Sequence, residues 1–157
     1  EDFDHMPESM QRWLDRFGPF EFRAVRGSDP AHMAPQPPFK ELWFKLHGQL
    51  EDDPPLHRAL LAYVSDFHLV GTATLPHGIS WVQGNLMIAS LDHAMWFHRD
   101  FRLDDWLLYV CDSPSTSGGR GLARGMIYDR QGNLVASTAQ EGVIRVREKQ
   151  DSNGDTQ

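Results

Sequence analysis

The chain is short of several things, and each absence removes a class of function. It has one cysteine, Cys111, in 157 residues. No intrachain disulfide can form, which fits a reducing compartment. Cys111 sits in the apolar run "WLLYVCD" and reads as a small core residue rather than a nucleophile. No stretch approaches the roughly 18 apolar residues that cross a bilayer, no signal peptide opens the chain, and the C-terminal "DSNGDTQ" is not the Ser-Lys-Leu address. Cytoplasmic localisation and no membrane insertion are the expectations. Positive charge is also scarce. The net charge of −7 argues against a nucleic-acid partner or a general polyanion surface. There are no internal repeats.

Familiar catalytic patterns are missing as well. Ser90 lies in "ASLDH", not in a Gly-x-Ser-x-Gly elbow, and His93 is three residues further along a strand, on the opposite face. That disfavours a Ser–His–Asp triad. The eight histidines form no zinc pattern: His93 and His98 in "HAMWFH" fall on opposite strand faces, with one cysteine in the chain. The glycine-rich "STSGGRG" at 115–121 is no phosphate loop and reads as a flexible strand connection.

What is present is an ordinary globular composition, 40% hydrophobic and 24% charged, with one domain's length. "PESMQRWLDRFG" predicts a short amphipathic helix, followed by the Pro-rich linker "RGSDPAHMAPQPP". These make up residues 1–38, ahead of a domain at 39–148 and a disordered tail at 149–157. "KELWFKLHGQL" alternates as a strand, with Leu42, Phe44 and Leu46 on one face. Asp53 is placed to cap a helix whose first turn accepts Pro54. Leu56, Leu60, Tyr63 and Phe67 form its apolar stripe, and Asp66 lies on the flank beside Ala59 and Ala62, a half-buried place. "VGTATLPHGISWVQG" reads as loop. "NLMIASLDHAMWFHRDF" reads as one long strand, covered on both faces, with Ser90 and Trp96 on the same side. Two more antiparallel strand segments follow, "DDWLLYVCDSPSTSG" and "RGLARGMIYDRQGNLVASTAQEGVIRVRE", the second folding back at "RQGN".

The segments "LPHG", "SLDHAMWFHRDF" and "STAQEGVIR" resemble acyl-CoA thioesterase II, the double-hotdog family that includes choloyl-CoA hydrolase. The resemblance runs from about Pro19 to Arg145 and covers the linker and the C-terminal half. It implies an α+β hotdog fold, a long central helix wrapped by a curved antiparallel sheet. It also implies a catalytic trio of Asp66, Ser90 and Gln140, which are 24 and then 50 residues apart as in the family. Ser90 replaces the usual threonine, keeping the hydroxyl but losing a methyl and some rotamer stiffness.

In that family the three positions hold the attacking water. A carboxylate half-shielded from solvent is a stronger base, and a hydroxyl and an amide orient water without competing as bases. His77, Gly78, Trp96 and Arg120 are the substrate-binding candidates, with Arg99, Arg102 and Arg124 as further cations for CoA. His77 and His93 match family positions, and hydrogen bonds to loop and strand backbone are their expected work. No metal or redox cofactor is implied. The expected partners are an acyl-CoA substrate and a second copy or a second hotdog domain. Two other readings stay open: a non-catalytic acyl-binding or structural half, and a dehydratase using His77, His93 or His98. Because the chain starts at Glu1 and matches one half of the family's length, it reads as a fragment, a processed product or a short gene.

Overall fold

The computed structural model describes residues 18–25, 34–80 and 85–147. Nearly all of the helix expected around residues 7–18, most of the Pro-rich linker and the tail lie outside these. Among the described residues, seven strands and one α-helix follow in chain order: β1 (Phe20–Ala24), β2 (Phe39–Leu46), α1 (Pro54–Ser65), β3 (Leu86–Ser90), β4 (Ala94–Phe97), β5 (Leu107–Ser117), β6 (Arg120–Tyr128) and β7 (Leu134–Val146). A 3-10 helix, Val70–His77, lies between α1 and β3. The strands form one antiparallel sheet in the order β1-β2-β5-β6-β7-β3, and β4 also pairs with β7. This is the α+β arrangement expected, one main helix on an antiparallel sheet.

β2 alternates as its sequence dictates, burying Leu42, Phe44 and Leu46. β1 comes from the segment expected to precede the domain, and it pairs along β2 from Phe20↔Leu46 to Ala24↔Leu42. Its Phe20 joins the core built by Leu61 and Val64 of α1 with Phe44, Leu107 and Tyr109 of the sheet. Cys111 is buried in that core, as expected. Burial pushes its thiol up to about 12, so it stays protonated and inert.

Helix α1 starts where the sequence placed it but differs in two respects. Asp53 is the N-cap residue, yet its side chain makes no capping bond. Two prolines that need no donor follow instead, and the Asp53 carbonyl accepts the His57 N–H at 3.1 Å. The buried stripe is His57, Leu61, Val64 and Ser65, whereas Tyr63 is 57% exposed. The helix is therefore rotated from the expected face. Its polar His57 is held in the core by one hydrogen bond, Nδ1 accepting the Leu103 N–H at 3.0 Å, while its buried Nε2 has no partner among the described residues. Tyr63 packs on Phe67 at 4.9 Å between ring centroids, beside Phe20 of β1.

The segment expected as loop carries the 3-10 helix, which buries Val70, Thr72, Ala73 and Leu75. Glycines make its seat. A Cβ on Gly142 would lie 2.4 Å from Val70, and one on Gly121 2.5 Å from Ala73.

The long strand expected at 85–101 is broken. β3 and β4 both pair with β7 but are separated at residues 91–93. The physical cause is a side chain meeting the neighbouring strand. The Asp92 side chain accepts the Glu141 N–H at 2.7 Å, so a side chain takes a ladder position. In the single chain Met87, Leu91, Trp96 and Phe97 are exposed, and the second cover expected for these strands was a partner domain or subunit. The two hairpins stand where the turns were expected. Gly118 and Gly119 take positive φ between β5 and β6, and Asp129 braces the β6–β7 turn through the N–H groups of Gln131 and Asn133.

Candidate active site

Asp66, Ser90 and Gln140 come from three separate elements, the end of α1, the end of β3 and the middle of β7. The structure brings them together. Ser90 Oγ donates to Asp66 Oδ1 at 3.2 Å, and Gln140 Nε2 donates to the same oxygen. The register explains the meeting. Ser90 pairs with Gly142, so it shares a sheet face with Gln140, and the end of α1 lies over that face. Both hydrogen bonds to the carboxylate among the described residues go to Oδ1, leaving Oδ2 without a protein donor.

The orientation of the Gln140 amide follows from charge, because only its nitrogen can face a carboxylate. Its Oε1 is consequently buried and lacks a protein partner among the described residues. Gln140 is 0% exposed, whereas Asp66 and Ser90 are exposed in this chain. That corrects the half-buried place expected for Asp66. The sequence correctly put it beside Ala59 and Ala62, and those residues are exposed too. The result is an open, small-residue surface at the end of the helix.

Behind the trio runs a polar chain that the sequence did not announce. Ser65, the last residue of α1 and fully buried, donates from Oγ to Ala62 O at 3.1 Å and lies 2.9 Å from His93 Nε2. The Ser65 carbonyl accepts the Tyr109 hydroxyl at 3.1 Å, which itself meets Thr138 Oγ1 at 2.8 Å. Burial holds the Tyr109 hydroxyl far above its ordinary value, so it remains a donor. Gly125 leaves room here, since a Cβ would lie 2.2 Å from the Tyr109 ring. The expectation that His93 bonds strand backbone is thus corrected: its partner is a helix side chain. The only hint in the sequence was that Ser65 directly precedes Asp66.

The other candidates are not joined to the trio by any hydrogen bond among the described residues. His77 is exposed at the end of the 3-10 helix, and Gly78 caps that helix with φ 60°. Trp96 pairs with Ser137 and Arg120 with Val143, odd positions of β7, which puts both on the face opposite Gln140. The strand break at 91–93 is what separates Trp96 from the face of Ser90. Arg120 pairs with Glu141 at 3.1 Å, Arg124 with Asp112 at 2.5 Å and Arg102 with Asp104 at 2.9 Å. Arg99 donates to the Leu134 carbonyl. His98 meets Ser137 at 2.8 Å.

Comparison with known proteins follows the same lines. Residues 33–143 match the family model described as acyl-CoA thioesterase. The chain is 39% identical over 143 residues to acyl-CoA thioesterase 2 of Haemophilus influenzae, covering 91% of this chain and 50% of that protein. It is 39% identical over 142 residues to human acyl-coenzyme A thioesterase 8, covering 90% of this chain and 44% of that protein. The chain thus spans about half the length of the curated relatives it matches.

Among solved structures, an acyl-CoA thioesterase II from Mycobacterium marinum superposes with a TM-score of 0.72 at 40% identity, covering 85% of this chain and 52% of that one. A protein described as having a hot dog fold, from Alicyclobacillus acidocaldarius, superposes with a TM-score of 0.64 at 18% identity over 94% of this chain and 51% of that one, which speaks for the fold alone. The fold is the hotdog.

Proposed function

This chain belongs to the acyl-CoA thioesterase family, and from that premise we propose that it hydrolyses acyl-CoA to a free carboxylic acid and CoA. The observation that carries the reading is the convergence of Ser90 Oγ and Gln140 Nε2 on one oxygen of Asp66. Two donors hold Oδ1 and orient the carboxylate, so Oδ2 is the base. It takes a proton from a water whose oxygen attacks the thioester carbonyl carbon. Gln140 Oε1 is buried, so Gln140 acts on the water through the carboxylate it holds. The C–S bond then breaks, and the CoA thiolate leaves and takes up a proton. A thioester suits so spare a site, because its carbonyl lacks much of the resonance that protects an oxygen ester.

The reading includes a partner. Asp66 and Ser90 are exposed, and along the same edge of the sheet Leu91, in the break between β3 and β4, is 51% exposed and Trp96, on the face away from Gln140, is 54% exposed. A catalytic carboxylate works best shielded from bulk water. A second hotdog, from another copy or from the other half of a double-length protein, supplies the shield and covers the apolar residues. A second reading draws on the half-length match: the chain is a structural half whose partner does the chemistry.

A thiol-release screen over acyl-CoAs of different chain length separates the two. It is run on the chain alone and on the chain mixed with a separately expressed N-terminal half. Turnover by either preparation that disappears in Asp66→Asn supports the proposal. Turnover that needs the partner and ignores Asp66 supports the structural half.

A further inference from the structure

A base is useful only while its carboxylate stays in place, and Asp66 stands one residue past the end of α1, where helices fray. We propose that His93 is a positioning residue for this site: through Ser65 it pins the last turn of α1 to the break between β3 and β4, and so keeps the Asp66 carboxylate on Gln140 and Ser90. The inference rests on Asp66 being the base.

The hydrogen-bond count fixes the roles. The single hydroxyl proton of Ser65 goes to the Ala62 carbonyl, so at 2.9 Å the Ser65 oxygen accepts and His93 Nε2–H donates. The segment that carries His93 is itself anchored on β7 beside Gln140. Leu91 N–H donates to the Glu141 carbonyl at 2.8 Å, and Asp92 accepts the Glu141 N–H. The Tyr109 hydroxyl holds the Ser65 carbonyl and is itself met by Thr138, which is two residues before Gln140 on β7. Each member of the trio therefore lies within two residues of this brace: Asp66 beside Ser65, Ser90 beside Leu91, and Gln140 between Thr138 and Glu141.

Packing alone does not account for an imidazole here. His93 Nδ1 is buried without a partner among the described residues, a cost an apolar ring would avoid. What the imidazole provides and a phenyl ring does not is the directed N–H to Ser65.

Three variants test this: His93→Phe keeps a ring but removes the donor, His93→Gln returns an amide N–H near the Nε2 position, and Ser65→Ala removes the acceptor. Turnover is measured with the second hotdog half present where it is needed. Alongside it, the Gln140 side-chain amide resonance, shifted by its carboxylate partner, is followed by NMR on the chain itself. The expected result for His93→Phe is a fall in kcat of about tenfold with KM within about twofold, and a moved Gln140 amide signal. His93→Gln should recover most of both, and the His93→Phe/Ser65→Ala double variant should be no slower than the worse single one.

An unchanged kcat and amide signal in His93→Phe, with Asp66→Asn inactive, overturns the His93 role alone. Should His93→Phe fail to fold, the same two unchanged readings in Ser65→Ala overturn it. Near-normal turnover in Asp66→Asn removes the role of His93 together with that of Asp66.

Discussion

The Gln140 amide, fully buried in β7, donates its N–H to Asp66 Oδ1 at the exposed end of α1, across 74 residues of sequence. The bond aligns a carboxylate with a fixed polar group of the sheet, and it places Gln140 among the most sensitive residues of the chain. Gln140→Leu removes a hydrogen bond to a charged group, worth about 1.5–3 kcal/mol. Turnover should fall by roughly ten- to a hundredfold, with KM little changed. Steady-state thiol release checks it, and a variant that raises KM alone would assign Gln140 to substrate binding instead.

Ser90 should tolerate change better. If it only orients the carboxylate and the water, Ser90→Thr restores the usual family residue and should match or exceed the parent. Ser90→Ala loses one hydrogen bond of 3.2 Å and should keep part of the rate. A nucleophilic Ser90 would instead give a dead alanine variant and an acyl-enzyme. Mass spectrometry after rapid quench with a slow acyl-CoA looks for the added acyl mass, and an adduct on Ser90 would rule out the water mechanism.

Acid stability should depend on a residue far from the chemistry. The Arg102 guanidinium hydrogen-bonded to Asp104 lowers the Asp104 carboxyl to about 2, and the Leu50 N–H donates to the same group at 2.8 Å. This ties the 98–106 loop to the segment before α1. A depressed carboxylate stabilises the fold above its unfolded value near 4, and the contribution is lost as pH falls from about 4 through 2. Asp104→Asn should therefore lower the melting temperature at neutral pH and flatten its decline across that acid window. Equal slopes for parent and variant would contradict the assignment.

Association is the fourth expectation. β3 and β4 have β7 as their one strand neighbour among the described residues, and Met87, Leu91, Trp96 and Phe97 stand exposed around that edge. An unpaired, apolar strand edge is seldom left open in solution. Light scattering at micromolar concentration should show a dimer or larger species; a clean monomer would count against pairing through this edge.

Much of this was legible from local pattern. The alternation of β2, the turns at Gly118–Gly119 and after Asp129, and the start of α1 after Asp53 all follow from short-range rules. What was not legible depended on distant partners. His57 looked polar, and its burial depends on the Leu103 N–H, 46 residues away; that contact rotates the helix from the expected face. The strand break needed Asp92 to find Glu141 on β7, which alternation cannot reveal. The 3-10 helix has no apolar period and is recognised by glycines at 121 and 142 that make room for it. No periodicity could place Asp66 beside Gln140. The trio was found through family resemblance, and its geometry explains why those three residue types belong together.

The most direct test of the account is the turnover of Asp66→Asn in acyl-CoA thiol release. It is compared with the parent under the same pairing conditions, with melting temperature as the control for folding. Asparagine keeps the size and an oxygen for Ser90 and Gln140 but removes the base. The expected result is a melting temperature close to the parent's and a kcat lower by about 10² or more, the usual loss when a general base is removed. A folded Asp66→Asn with near-normal kcat would contradict it and move the chemistry away from this carboxylate.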